Sequence, residues 1–307
     1  MRKMKPAVGL FLSLAFLLVG ASQWALAGEK LRIYTVNYPL AYFAERIAGD
    51  LATVTFPAPP DVDPAFWMPD AETIAAYQGA DLILLNGADY AKWTAKVSLP
   101  RSRLVDTSRG FEDRYIHETI GVSHSHGPGG EHSHGGTAFT TWLDLNQAAQ
   151  QAEAIAQALT RKRPDAKTRI DRNLEVLKGY LLRLDARLSE IAQTEPGLPL
   201  LASHPVYQYF ARRYGLNLRS LMWEPEEVPS EDQWTELEGM LREQPAKWMI
   251  WEGEPTEKTI ERLRTLGVES VVFDPCANRP SSGDYLAVMT ENARSLHLVF
   301  GPVSRDP

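Results

Sequence analysis

Between residues 170 and 191 apolar side chains recur at steps of four and three without a miss: Ile170, Leu174, Leu177, Leu181, Leu184, Leu188 and Ile191. An α-helix brings such a series onto one face. At ~1.5 Å per residue the helix spans roughly 35 Å, the height of a small domain. Three heptads are short for a coiled coil, and the flanks are of a different kind. Before the stripe, "LRIYTV" (31–36), "ATVTF" (52–56), "DLILLNG" (81–87) and "SRLVDTS" (102–108) read as strands, with the helical patterns "LAYFAERIAG" and "AETIAAYQGA" among them. After it come the strands "PLLASH" (199–204), "LNLRSLM" (216–222), "KWMIWE" (247–252) and "ESVVFD" (269–274), again spaced by helices. Strands alternating with helices build parallel sheets. The expected fold is α/β: two lobes, each a mostly parallel sheet flanked by helices, bridged by one long rigid helix. In such a fold a ligand sits in the crevice outside the carboxyl ends of the strands.

The expected divisions are a signal peptide (1–27), an N-terminal lobe (28–160) with a histidine-rich loop (117–137), the linking helix (161–194) and a C-terminal lobe (195–307). The first of these follows from "MRKMK", a basic start, then "AVGLFLSLAFLLVGA", and then Ala25-Leu26-Ala27 with small residues before Gly28. That is the layout of a cleaved export signal. No cysteine stands near the cut to carry a lipid, so a soluble periplasmic protein is expected. The full chain has 32 basic and 39 acidic residues, and losing Arg2, Lys3 and Lys5 leaves 29 against 39, a net charge of −10. Such a chain repels nucleic acid and anionic membranes and suits a cation. The one cysteine, Cys276, has no internal disulfide partner. It is expected to be buried and inert.

Strand ends are where chemistry is expected. Four strand ends or turns stand out: Pro64-Ala65, Thr140, His204 and Asp274. His204 closes "LLASH" and Asp274 closes "VVFD"; an imidazole and a carboxylate there form a natural pair of metal ligands, both binding zinc at ~2.0–2.2 Å. A hydrogen-bonded histidine before proline and an aspartate acting as a helix cap are the plainer alternatives. Other available oxygen donors are Asp63 and Asp70 in the first-lobe turn and Glu252 at the end of "KWMIWE". Four of the seven histidines lie in "HSHGPGGEHSHGG" (124–136). In extended backbone residues i and i+2 point the same way, so His124/His126 and His132/His134 make two side-by-side pairs. Imidazole is the commonest biological metal ligand. The tract reads as a metal-capturing loop, alone or together with His204 and Asp274. His117 and His297 read as surface residues, and Trp142, Trp223 and Trp251 as packing residues. No HExxH, GxSxG or Cys–His pairing occurs, so a binding protein rather than an enzyme is expected.

The segments "NYPLAYFAERIAGD", "PPDVDP", "ADLILLNGADYAKW", "TWLDL", "SHPVYQYFARRYGL", "EPEEVPSEDQWTEL", "VVFDP" and "SGDYLAVMTENARSL" occur in this order across residues 31–300. In them the chain resembles the zinc/manganese substrate-binding proteins of bacterial ABC importers, the ZnuA-like or cluster A-I group. The resemblance implies a metal at the interface of the lobes, zinc ahead of manganese or another divalent ion. It also implies an ABC permease and its ATPase as partners, and it agrees with a histidine-rich loop ahead of the second ligand. A monomer is expected, with other periplasmic metal proteins as further partners and no nucleic acid. Carried over residue by residue, the family's third and fourth ligands match His204 and Asp274. Its first and second, both histidines, fall on Ala65 and Thr140. A methyl group cannot ligate, and a hydroxyl is a feeble zinc donor beside imidazole. Affinity at the interface should therefore fall by orders of magnitude unless other donors arrive. The alternative role is a periplasmic zinc buffer or accessory protein with a degenerate site, which delivers no metal.

Overall fold

The structure is a computed structural model that describes residues 29–118, 123–125, 131–133 and 136–301. The expected signal peptide, His126 and His134 lie outside the described residues. The N-terminal lobe opens with strand β1 (Leu31–Thr35), helix α1 (Tyr38–Ala48) and strand β2 (Ala52–Thr55). Helix α2 (Ala71–Gly79), strand β3 (Leu82–Leu85) and strand β4 (Leu104–Asp106) complete its sheet. The strand order is β2-β1-β3-β4, all parallel. Two short antiparallel pairs follow: β5 (His117–Glu118) with β8 (Gly136–Thr137), and β6 (Ser123–Ser125) with β7 (Glu131–Ser133). The backbone register of the second sets His124 opposite His132.

Helix α3 (Leu145–Lys162) ends just before Pro164, and helix α4 (Lys167–Ala192) carries the stripe. Ile170, Leu177, Leu181, Leu184, Leu188 and Ile191 are buried, and Leu174 packs partly buried against the same core. The opposite face of α4 exposes Val176, Tyr180 and Leu182. The C-terminal lobe runs β9 (Pro199–Ala202), α5 (Gln208–Tyr214), β10 (Asn217–Ser220), α6 (Glu231–Glu243), β11 (Trp248–Trp251), α7 (Glu257–Thr265), β12 (Glu269–Val272) and α8 (Tyr285–Phe300). Its parallel sheet has the order β10-β9-β11-β12. Helix α4 packs against α1 and α3 on one side and α5 and α8 on the other, so the stripe joins both lobes into one core. A separate cluster around Trp223, Trp234 and Trp251 fills the C-terminal lobe. Among the described residues no helix is long and apolar enough to cross a membrane.

Loops leaving the carboxyl ends of both sheets meet at a hydrogen-bonded seam. Trp142 Nε1 donates to Pro275 O at 2.7 Å, and Tyr38 N donates to Ala277 O at 3.0 Å. Asn278 Nδ2 donates to Pro59 O at 2.6 Å and Val62 O at 2.8 Å. Tyr209 OH, on α5, donates to Ala138 O at 2.9 Å. Arg213 of α5 grips Asp185 of α4, with Nε 2.8 Å from Oδ1, and Tyr214 OH joins the same oxygen at 3.0 Å. These bonds satisfy buried polar groups and fix the lobes' facing loops.

One tight approach in the N-terminal lobe yields a test of its electrostatics. Gly87, at φ +77°, lies so close to Ser108 and Asp106 that a Cβ would meet Ser108 Oγ at 2.0 Å. Asp106 accepts from the Ser108 amide at 3.1 Å, and burial raises its carboxyl pKa above the ordinary value against those hydrogen bonds. A pKa raised on folding contributes stability below the ordinary aspartate value and loses it as pH climbs through the raised one. Asp106 is nevertheless solvent-exposed at the end of β4, which screens its charge, so the ionised carboxylate costs only a little stability at neutral pH. Asp106→Asn keeps the acceptor, and its melting temperature should exceed the parent's at pH 7–8. The gap should close as pH falls toward about 4. A gap that widens on acidification contradicts this reading.

Candidate metal centre

Strand β9 ends at Ala202, and two residues on comes His204, only 3% exposed. Its turn is fixed from both sides. Val206 N donates to His204 O at 3.0 Å, and Thr140 Oγ1, from the other lobe, donates to Val206 O at 2.5 Å. The imidazole Nδ1 faces two carboxylates: Glu224 Oε1 at 3.2 Å and Glu252 Oε1 at 3.7 Å. Donor atoms of all three residues lie within 4.8 Å of one another. Glu252 directly follows β11, and Glu224 follows β10 by four residues. Three neighbouring strands thus each deliver one donor past a carboxyl end, as the crevice rule requires.

Tyr207 forms part of the buried surroundings. Its hydroxyl donates to Phe273 O at 2.8 Å. Burial first, then the charges of Glu252 and Asp274, push its pKa well above the phenolic range. Trp223 and Trp251, each preceding a glutamate of the cluster, are fully buried packing residues.

The expected site residues divide in this geometry. His204 and Glu252 come together, with Glu224 between β10 and the crevice as a third donor. Asp274 is outside that group. Its Oδ1 accepts from Cys276 N at 2.6 Å, and its backbone is clasped by Asn292, which accepts from Asp274 N and donates to Asp274 O. This shapes the turn in which Cys276 holds φ +56°. Burial raises the Asp274 carboxyl pKa and, with the charges of Asp274 and Asp284, the Cys276 thiol pKa. Cys276 is 1% exposed, with its sulfur 3.9 Å from Asn278 O. Ala65 is buried, its amide bonded to Asp63 Oδ1 at 2.8 Å, while Asp70 caps α2 through Thr73 N. His117 is exposed beside Thr137.

Glu224 is the residue that sequence reasoning misses. It sits in "WEPEE" beside Glu226 and Glu227, and a strand ending at Ser220 gives no reason to choose among them.

Residues 33–298 match the family described as ZnuA, zinc-uptake complex component A, periplasmic. The zinc-binding lipoprotein AdcA of Streptococcus pneumoniae is 25% identical over 294 residues, covering 92% of this chain. This chain spans only 58% of AdcA. The manganese ABC transporter substrate-binding lipoprotein PsaA of Streptococcus anginosus is 26% identical, covering 95% of this chain and 97% of PsaA. The Zn(II)-bound ZnuA-like domain of AdcA superposes with a TM-score of 0.75 at 20% identity. That superposition covers 89% of this chain and all of that domain, and it speaks for the shared fold.

Proposed function

The chain belongs to the ZnuA family, and from that premise we propose that it is the metal-binding, solute-binding protein of an ABC-type importer. Its cargo is zinc ahead of manganese, and its partners are a permease and its ATPase. It acts in the periplasm after loss of residues 1–27, as a binding protein rather than an enzyme. The observation that carries this reading is the buried imidazole of His204 facing two carboxylates at the carboxyl ends of neighbouring strands. Neutral imidazole and carboxylate are the donors that zinc takes in mixed N/O sites. Manganese prefers the oxygens, so one nitrogen in the set leaves zinc ahead.

The loop histidines His124, His126, His132 and His134 serve in this reading to collect zinc and pass it toward His204. Deleting residues 124–136 separates storage from delivery. Calorimetric titration of the metal-free deletion variant with zinc should retain one tight, stoichiometric site while losing weaker binding. Loss of all tight binding with the loop would instead make the protein a zinc buffer.

A further inference from the structure

We infer that the ion is held by the C-terminal lobe, through His204 Nδ1, Glu224 and Glu252, with none of the described residues of the N-terminal lobe as a ligand. This rests on the metal-binding function proposed for the chain and adds the donor set to it. The spacing fits. Zinc at ~2.0–2.1 Å from tetrahedral ligands puts those ligands about 3.3–3.4 Å apart. The imidazole nitrogen stands 3.2 Å and 3.7 Å from the two carboxylate oxygens, bracketing that value. The strands that present the donors are consecutive in the sheet, β10-β9-β11. Neighbouring strands run ~4.8 Å apart, so residues just beyond their ends converge without distortion.

The charges fit as well. Two carboxylates close together repel, and a dication between them relieves the repulsion. One neutral imidazole and two carboxylates balance a divalent ion to zero net charge. The glutamate side chains are 22% and 27% exposed, while His204 is 3% exposed. The carboxylates thus face the approach from solvent, and the nitrogen anchors the set from beneath. This mixed set takes borderline divalent cations such as zinc, manganese or iron(II), and disfavours copper(I), which seeks sulfur.

The N-terminal lobe takes a bracing part instead. Ala65 offers no side-chain donor, and its backbone amide is already bonded to Asp63. Thr140 donates its hydroxyl proton to Val206 O, in the turn that begins at His204. Thr140 thus braces the turn that follows His204.

The test uses the full chain, stripped of metal and titrated with zinc by calorimetry, as wild type, Glu224→Gln, Glu252→Gln and Asp274→Asn. Each glutamine variant should bind zinc at least about 10-fold more weakly. Zinc K-edge absorption of the wild-type 1:1 complex should report a single imidazole among its nitrogen and oxygen neighbours. That second readout needs no substitution, so a variant that misfolds does not decide the matter. Two or more imidazoles would overturn the one-lobe set. So would glutamine variants that bind like wild type while Asp274→Asn loses affinity; that outcome leaves metal binding itself intact. A wild type that binds no zinc stoichiometrically removes both the donor set and the function it rests on.

Discussion

His204→Ala should lower zinc affinity by at least about 100-fold, more than a change behind the ligands would cause. The variant leaves Glu224 and Glu252 as an all-oxygen pair, a set better suited to magnesium, calcium or manganese than to zinc. Competition against a chelator of known zinc affinity measures the loss. Thermal stability gives a second reading. A ligand that binds only the folded chain at 100 times its Kd adds about 2.7 kcal/mol. The wild type should therefore melt higher with zinc at that level, and His204→Ala should not at the same zinc concentration. Affinity within threefold of wild type would take the imidazole out of the site.

The second large effect is structural. Trp142 is fully buried, stacks edge-on against Tyr90 at 5.5 Å, and donates across the seam to Pro275 O. Its own carbonyl accepts from Tyr285 OH at 3.2 Å, at the head of α8. Trp142→Ala opens a large cavity and strands a buried carbonyl, costing about 3–5 kcal/mol. At about 2–4 °C per kcal/mol for a chain of this order of size, the melting temperature should fall by roughly 10 °C or more. Trp142→Phe keeps an aromatic ring and loses the donor, so its cost should be smaller, about 1–3 kcal/mol. If Phe and Ala melt alike, the seam hydrogen bond outweighs the packing and the expected order of the two variants fails.

Most of the scaffold is legible in the sequence because its signals are local and periodic. The stripe from Ile170 to Ile191 needs only the helical repeat, and the eight sheet strands need only short apolar runs bounded by turns. Residues 110–141 carry no clear period, and the described part shows why. A two-residue ladder such as His117–Glu118 with Gly136–Thr137 is too short to leave one. The candidate site is legible by half. His204, two residues past β9, is among the strand ends the crevice rule singles out, while Glu252, directly after β11, stands in the sequence only as a further oxygen donor. Asp274 satisfies the same rule, yet β12 is at the sheet's edge and the aspartate's Oδ1 binds the Cys276 amide. Glu224 requires knowing that the chain beyond Ser220 keeps alongside the extension of β9, with Leu221 N bonded to Ala202 O at 2.8 Å and Trp223 N to Ser203 O at 2.7 Å. Those are long-range contacts, and no spacing in the sequence announces them.

An anomalous difference map, collected at the zinc edge from crystals of the full chain grown with one equivalent of zinc, would locate the ion outright. One strong peak is expected, about 2.0–2.2 Å from His204 Nδ1 and from an oxygen of each of Glu224 and Glu252. A peak that does not touch His204, or that bridges the lobes through residues near 65 and 140, would contradict the one-lobe site.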